Sequence, residues 1–479
     1  MSFQSLAFCV FLAAALAACL TLGRRSARLG TQLLAAASLV FYLLGPGGWR
    51  TALGGLSVLL LGIAVTARAI RRMARPGASR RRTLALACGY HIALLVIFKY
   101  TGFFTGGAVE VGWAPLGLSF FTFQQLWLLK EAYTGEYAPA PEDPLLLYGV
   151  FFPTVTSGPI LRPGAFFPQL RGGRFLHPDW HDAAAGLYAI CCGTVKKMLL
   201  ADSFGAVVNS GWGRLEELSA PAAWLVMLGY TLQLYFDFSG YCDIAAGTAR
   251  LFGIRLPANF NSPYRSTSVT EFWKRWHITL TSFLRECLYF PLGGSRRGTA
   301  RTYLNILIIF LVSGLWHGAG WTFLAWGALH GLAQVAERAW GSGRDRLPRA
   351  FRWGLTFLFL NIAWVFFRAP DCASALELLR RAAAGGLALP EEWLLEGLFA
   401  SEIAGLEVLL PSISHPGLLL TVTAGLYGCG LIAALWPRNV TGRMEDFRPT
   451  LWRGAALTAL TLWCVLSFNG VTGFIYSNF

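Results

Sequence analysis

Ten stretches of this chain carry no Asp, Glu, Lys or Arg: residues 1–23, 29–49, 51–67, 83–98, 111–129, 144–161, 218–236, 302–336, 408–437 and 454–479. A helix that crosses the hydrocarbon core needs about 20 mostly apolar residues, so most of these runs predict spanning helices. The connections EYAPAPEDP (136–144) and RPGAFFPQLRGGRFLHPDWH (162–181) are rich in Pro, Gly and aromatic residues. Irregular backbone near a bilayer must be buried in protein or face water, so these predict re-entrant or interfacial segments. Residues 371–407 alternate acidic, basic and apolar positions, a pattern that fits a surface-lying amphipathic helix or an external loop. No repeat and no composition break marks a second domain. The expected architecture is an all-α polytopic membrane protein, one domain over 1–479. It divides into spanning helices in 1–110, a central core in 111–340 and further helices in 341–479.

Composition narrows the class. The chain is 55% hydrophobic and only 14% charged, against about 25% charged in soluble domains, which excludes a cytosolic enzyme and a disordered chain. The net charge of +15 comes from 40 Lys and Arg against 25 Asp and Glu. Those cations sit in short loops with no recognition motif beside them, so nucleic acid is not the expected partner; membrane lipid is. The ten cysteines are scattered, Cys191–Cys192 apart, with no C-x-x-C or H-E-x-x-H. Buried free thiols, and no metal site, are expected.

Arginine placement sets the orientation. The first run has nothing basic before it, unlike a cleavable signal peptide. Arg24, Arg25 and Arg28 follow it, and Arg68, Arg71, Arg72, Arg75, Arg80, Arg81 and Arg82 follow the third. Placing both clusters in the cytoplasm puts the N-terminus outside.

Candidate chemistry lies in 228–340. Asp237 and Asp243 fall within or beside an apolar run, where a charge is expensive and usually has a job; a structural role, holding Arg250, Arg255 or Arg265 in place, is the alternative for both and the favoured one for Asp237. Ser268-Val-Thr-Glu271 has capping-box spacing, so a helix starts near Val269, with Glu271 and Arg275 paired four apart. On that helix Trp273 and His277 share a face, and His277 lies two turns in, at a cytoplasmic entrance lined with Trp and Arg. The run 302–336 is too long: as one helix it would reach about 52 Å, against a core of about 30 Å. Basic residues flank both ends, so the chain must enter and return, with the break at SGLWHGAGW (313–321), where glycines weaken the helix. A steeply tilted single helix is the competing geometry. Either way His317 is carried to membrane depth, where an ionisable side chain points to function.

The pieces PLGLSFFTFQ (115–124), FFPTVTSGPILRPGAFFPQL (151–170), LQLYFDFSGYCDIAAG (232–247), NFNSPYRSTSVTEFWKRWHITLTSFLRECLYFPLGG (259–294), SGLWHGAGWTFLAWGALHG (313–331) and FIYSNF (474–479) resemble the membrane-bound O-acyltransferase family, in its bacterial polysaccharide O-acetylation branch. Two positions depart from that pattern: Glu286-Cys287 stands where Asp-Tyr is usual, and Lys130-Glu131 where a single acid is usual. The resemblance implies a helical bundle of about 10–13 membrane segments around a central acyl tunnel, with 111–340 as the acyltransferase core. It implies transfer of an acyl group from a thioester to a hydroxyl, with His317 catalytic and His277 supporting. Trp276, Trp316 and Trp321 would wall the acyl path, Lys274 and Arg275 would meet the phosphates of coenzyme A, and Asn261 and Asp237 would belong to the donor site. No permanently bound cofactor is expected; acetyl-CoA or another acyl thioester is the donor substrate. An extracytoplasmic SGNH-type acyltransferase is the expected partner, and the bacterial inner membrane the expected location. D-alanyl transfer from a carrier protein and transport without chemistry are the alternatives. On this topology a cysteine at Gly47 should react with an impermeant reagent outside intact cells and one at Arg72 should not; the opposite labelling would reverse the orientation.

Overall fold

The computed structural model describes residues 3–137, 140, 142–466 and 475. It is 74% helical, and no strand occurs among the described residues. The first helices are α1 (Leu6–Thr21), α2 (Ala27–Leu43), α3 (Gly48–Met73) and α4 (Arg80–Leu95), which runs through a π turn at Val96–Tyr100 into α5 (Thr101–Phe104). Then come α6 (Leu118–Thr134), α7 (Leu145–Val150), α8 (Pro163–Arg171), α9 (Trp180–Val195), α10 (Asp202–Gly213) and α11 (Ala220–Leu251). The core continues with α12 (Val269–Trp273), α13 (Ile278–Leu284), α14 (Thr299–His317), α15 (Trp321–Trp340) and α16 (Arg349–Arg368). The remainder is α17 (Cys372–Ala384), α18 (Glu392–Leu395), α19 (Ala400–Leu409), α20 (His415–Ala434), α21 (Val440–Met444) and α22 (Leu451–Leu466).

Among the described residues, 7 helices are long and apolar enough to cross a membrane: Leu6–Arg25, Gly48–Met73, Arg80–Phe104, Trp180–Gly213, Thr299–His317, Arg349–Arg368 and His415–Ala434. Two shorter apolar helices, Ala27–Leu43 and Leu451–Leu466, accompany them. The run 144–161 is not a span. It holds only the six-residue α7, then buried irregular backbone around Pro153 and Pro159. Between 371 and 407 the helical pattern wins: α17 buries Ala375, Leu378 and Ala382 and turns its charges outward.

The arginine-rich ends gather at one end of the bundle. Arg80 Nη2 donates to the Tyr133 carbonyl at 2.7 Å, bringing the start of α4 to the end of α6. Both departures from the family pattern meet there. Lys130 Nζ lies 2.6 Å from Glu136 and 3.8 Å from Glu286. Arg162 bridges Glu131 at 2.6 Å and Glu286 at 3.4 Å.

Helix α11 is buried along most of its 32 residues. It packs on α9 through glycines: a Cβ at Gly193 would lie 2.5 Å from the Gly240 carbonyl, and one at Gly247 would lie 2.4 Å from the Gly186 carbonyl. Small residues allow this approach, and without it membrane helices have little else to associate them.

The overlong run folds back on itself. α14 ends at His317, the chain is extended at Gly318 and Gly320, and α15 returns. A Cβ at Gly314 would stand 2.3 Å from the Phe323 carbonyl, and one at Gly327 2.4 Å from the Phe310 carbonyl. The two helices therefore form a hairpin in backbone contact, and the tilted single helix is excluded. Gly327→Ala should lower the thermal midpoint in detergent by the equivalent of about 1–3 kcal/mol, an overpacking cost. Gly354→Ala in α16, which meets nothing within 4 Å, should be neutral or raise it, since Ala favours helix over Gly by about 1 kcal/mol. Equal effects would mean that the close approach does not hold the hairpin.

Candidate active site

His317 is the last residue of α14 and is 1% exposed. Its imidazole meets the rings of Trp316 at 4.7 Å, Trp326 at 5.1 Å and Phe367 at 5.1 Å, all edge-on. The residue lines a cavity of about 800 Å³ with Lys99, Trp113, Pro115, Ser119 and Phe323. Its lining reaches the α2–α3 turn at Pro46 and Gly47, the end of α3 opposite Arg71 and Arg72.

The final carbonyls of a helix have no intrahelical donor. Here the π turn at Val96–Tyr100 supplies the donors. Tyr100 Oη donates to the Leu315 carbonyl at 2.8 Å. Lys99 Nζ donates to the Trp316 carbonyl, to the His317 carbonyl at 3.3 Å and to Ser119 Oγ at 3.5 Å.

His277 does not stand on the helix that begins at Val269. The capping box forms, with Ser268 Oγ accepting the Glu271 amide at 2.9 Å, while Glu271 reaches one residue further back, to the Thr267 amide at 2.9 Å. The helix then stops at Trp273. His277 follows in the left-handed region (φ 43°) as the residue before α13. It is fully buried, not at an exposed entrance, with its ring 4.7 Å from Phe238, 6.2 Å from Phe120 and 6.1 Å from Trp316. Trp316 thus lies between the two histidines.

Asn259 assigns the His277 tautomer. Its Oδ1 accepts from the Thr279 amide at 3.2 Å and Thr279 Oγ1 at 2.9 Å, while its Nδ2 points to Cys242 Sγ at 3.4 Å. The amide oxygen therefore faces His277 Nδ1 at 3.2 Å. An oxygen can only accept, so Nδ1 carries the proton and Nε2 is the acceptor.

At the arginine-rich end a slot of about 290 Å³ runs from Lys274, Arg285 and Arg338 past Trp273 to Ser313, one turn before His317 on α14. Cations line it and no carboxylate does. Arg275 is not among them: its guanidinium is held by Glu271 at 2.9 Å and by the Asn261 carbonyl at 3.2 Å. Asn261 serves that loop through its backbone, its amide meeting the Arg275 carbonyl at 2.9 Å. Trp276 is packed among Phe260, Phe272 and Trp364 rather than along the slot or cavity. Trp321 is 71% exposed, beside Phe103. Asp237 and Asp243 pair with lysines, not arginines: Lys197 lies 2.8 Å from Asp237 and Lys196 lies 2.6 Å from Asp243. Arg250 instead meets Asp182 at 2.5 Å. Of FIYSNF, only Ile475 falls within the described residues; its amide donates to Asp237 Oδ2 at 2.9 Å.

Lys99, Tyr100 and Asn259 were not anticipated. Lys99 had a visible signal, a lone cation ending an apolar run in VIFKY; Asn259 had none, since its partners come from a loop crossing. His330 lies one turn beyond Trp326 on α15, 4.9 Å from its ring, and Trp326 in turn stands 5.1 Å from His317. His330 Nδ1 accepts the Trp273 indole N–H at 3.1 Å, which occupies its lone pair. The carboxylates of Glu131, Glu136 and Glu286 come within 4.8 Å of one another, but Arg162 and Lys130 already meet them, as an ion-pair network rather than a cation cradle.

Residues 144–370 match the model of the membrane-bound O-acyltransferase family. The chain is 37% identical to a peptidoglycan O-acetyltransferase of Helicobacter pylori, over 64% of this chain and 65% of that protein, so the match spans less than two thirds of that relative's length. It is 34% identical to a probable alginate O-acetylase of Pseudomonas putida, over 78% of each chain. A teichoic acid D-alanyltransferase of Bacillus subtilis is 27% identical over 52% of this chain and 66% of its own. On this similarity, which embraces the hairpin and both histidines, the chain belongs to the membrane-bound O-acyltransferase family.

Proposed function

We propose that this protein moves an acyl group, acetyl in the simplest case, from a cytoplasmic thioester to a hydroxyl, for O-acetylation of an extracytoplasmic polysaccharide. One observation carries the reading. Two buried histidines, with Trp316 between them, lie between a cation-rimmed slot at one end of the bundle and an aromatic cavity at the other. The arginine-rich end is then cytoplasmic, the N-terminus outside, and the membrane the bacterial inner membrane. The donor is acetyl-CoA, its phosphates met by Lys274, Arg285 and Arg338. The product passes to a partner acyltransferase of the SGNH type.

In the transfer, His317 accepts the hydroxyl proton as the oxygen attacks the thioester carbonyl; a C–O bond forms and the C–S bond breaks. The imidazolium then gives its proton to the departing thiolate. The aromatic shell excludes water, which would otherwise compete as acceptor. His277, with Nε2 as acceptor, orients the donor by receiving a hydrogen bond from it, and does not polarise a carbonyl.

Purified protein should consume acetyl-CoA, and His317→Ala should lower transfer by about 10²–10⁴. His317→Asn should fare no better, because an amide cannot take the proton. Near-wild-type transfer in either would remove His317 from the chemistry. Turnover only with an acyl-carrier thioester would favour the D-alanyl type of reaction, and no thioester consumption at all would favour transport.

His277→Ala should reduce turnover while the protein still accumulates in the membrane. Because Asn259 fixes the ring, Asn259→Ala should reproduce part of that loss. Wild-type turnover in His277→Ala would make the residue a packing element.

A further inference from the structure

Among the described residues, Lys99 is the only Lys, Arg, Asp or Glu that lines the His317 cavity. It faces the carbonyls of Trp316 and His317. Lys99 is half-buried, and an ionised donor makes a shorter and stronger hydrogen bond to a carbonyl than a neutral one. A cation adds attraction to the negative end of a helix dipole, here the end that carries the proposed base. The neighbouring Tyr100 takes the carbonyl of Leu315, so two consecutive residues hold three consecutive carbonyls. Residues 99 and 100 address one helix end because the backbone is π-helical there, a distortion found frequently at functional sites. Beyond His317 the chain is extended at Gly318, whose amide reaches back only to Gly314, at 3.2 Å. The last turn of α14 is thus fixed from outside the helix.

We propose that Lys99 is a positioning residue, with Tyr100 as its accessory: together they clamp the end of α14 and aim His317 into the cavity. The proposal rests on the reading of His317 as the base. The bond from Lys99 Nζ to Ser119 Oγ at the start of α6 ties the cavity wall to the same clamp. The acceptor's surroundings and the base are thereby held as one unit.

The test measures kcat and the KM for acetyl-CoA in purified Lys99→Met, Lys99→Arg and Tyr100→Phe, beside His317→Ala. Lys99→Met keeps the stem and removes charge and donors. Its kcat should fall about 10- to 100-fold, the scale of a base misplaced by about 1 Å, with the donor KM unchanged. Lys99→Arg should recover most of the loss, and Tyr100→Phe should show a smaller fall in kcat alone. Wild-type kcat in Lys99→Met, with His317→Ala inactive, would overturn the clamp. So would a raised KM at constant kcat, which would make Lys99 a binding group. An active His317→Ala would instead sink the reading of the base. If Lys99→Met fails to accumulate, Tyr100→Phe decides: a lowered kcat at normal KM supports the clamp, and a wild-type kcat overturns it.

Discussion

The site depends on a helix that stops inside the bundle. A spanning helix normally delivers its unpaired carbonyls to the aqueous boundary. α14 instead ends on buried His317, so donors must be brought to it and its return path must be narrow. The π turn before α5 provides the donors, and the α14–α15 backbone contact provides the path. Orphaned carbonyls within protein cost too much to be left unmet, so neither device is optional once the helix ends there.

The parts of this arrangement that a linear reading recovers are those encoded locally. Length against bilayer thickness, glycine spacing in SGLWHGAGW and the Ser268–Glu271 cap each depend on residues a few positions apart, and each gave the right local outcome. His277 did not. The expected helix would have continued past it, but the chain leaves helical geometry after Trp273 because the backbone there pairs with the 259–261 loop: the Ile278 amide donates to the Asn259 carbonyl at 3.0 Å, and the Asn261 amide to that of Arg275 at 2.9 Å. The partners of Asp237 and Asp243 escaped for the same reason. Arginines nearby in sequence were the natural choice, whereas the lysines come from the separate π turn at Lys196–Ala201 after α9.

The histidines differ in what holds them. His277 is fixed through its ring by Asn259, His317 through its backbone by Lys99. A ring bonded at one nitrogen has a defined donor and acceptor face. The His317 ring is confined edge-on by Trp316, Trp326 and Phe367.

The ion-pair network of Lys130, Glu131, Glu136, Arg162 and Glu286 has a consequence for comparing this chain with its relatives. The two places where the sequence leaves the family pattern touch each other across α6 and the turn after α13, with Arg162 between them. A chimera that exchanges α6 alone would part Lys130 and Glu131 from Glu286 and Arg162, the partners they meet from outside that helix. Recombination within the family therefore has a natural unit here, and it crosses the boundary that a linear alignment would draw.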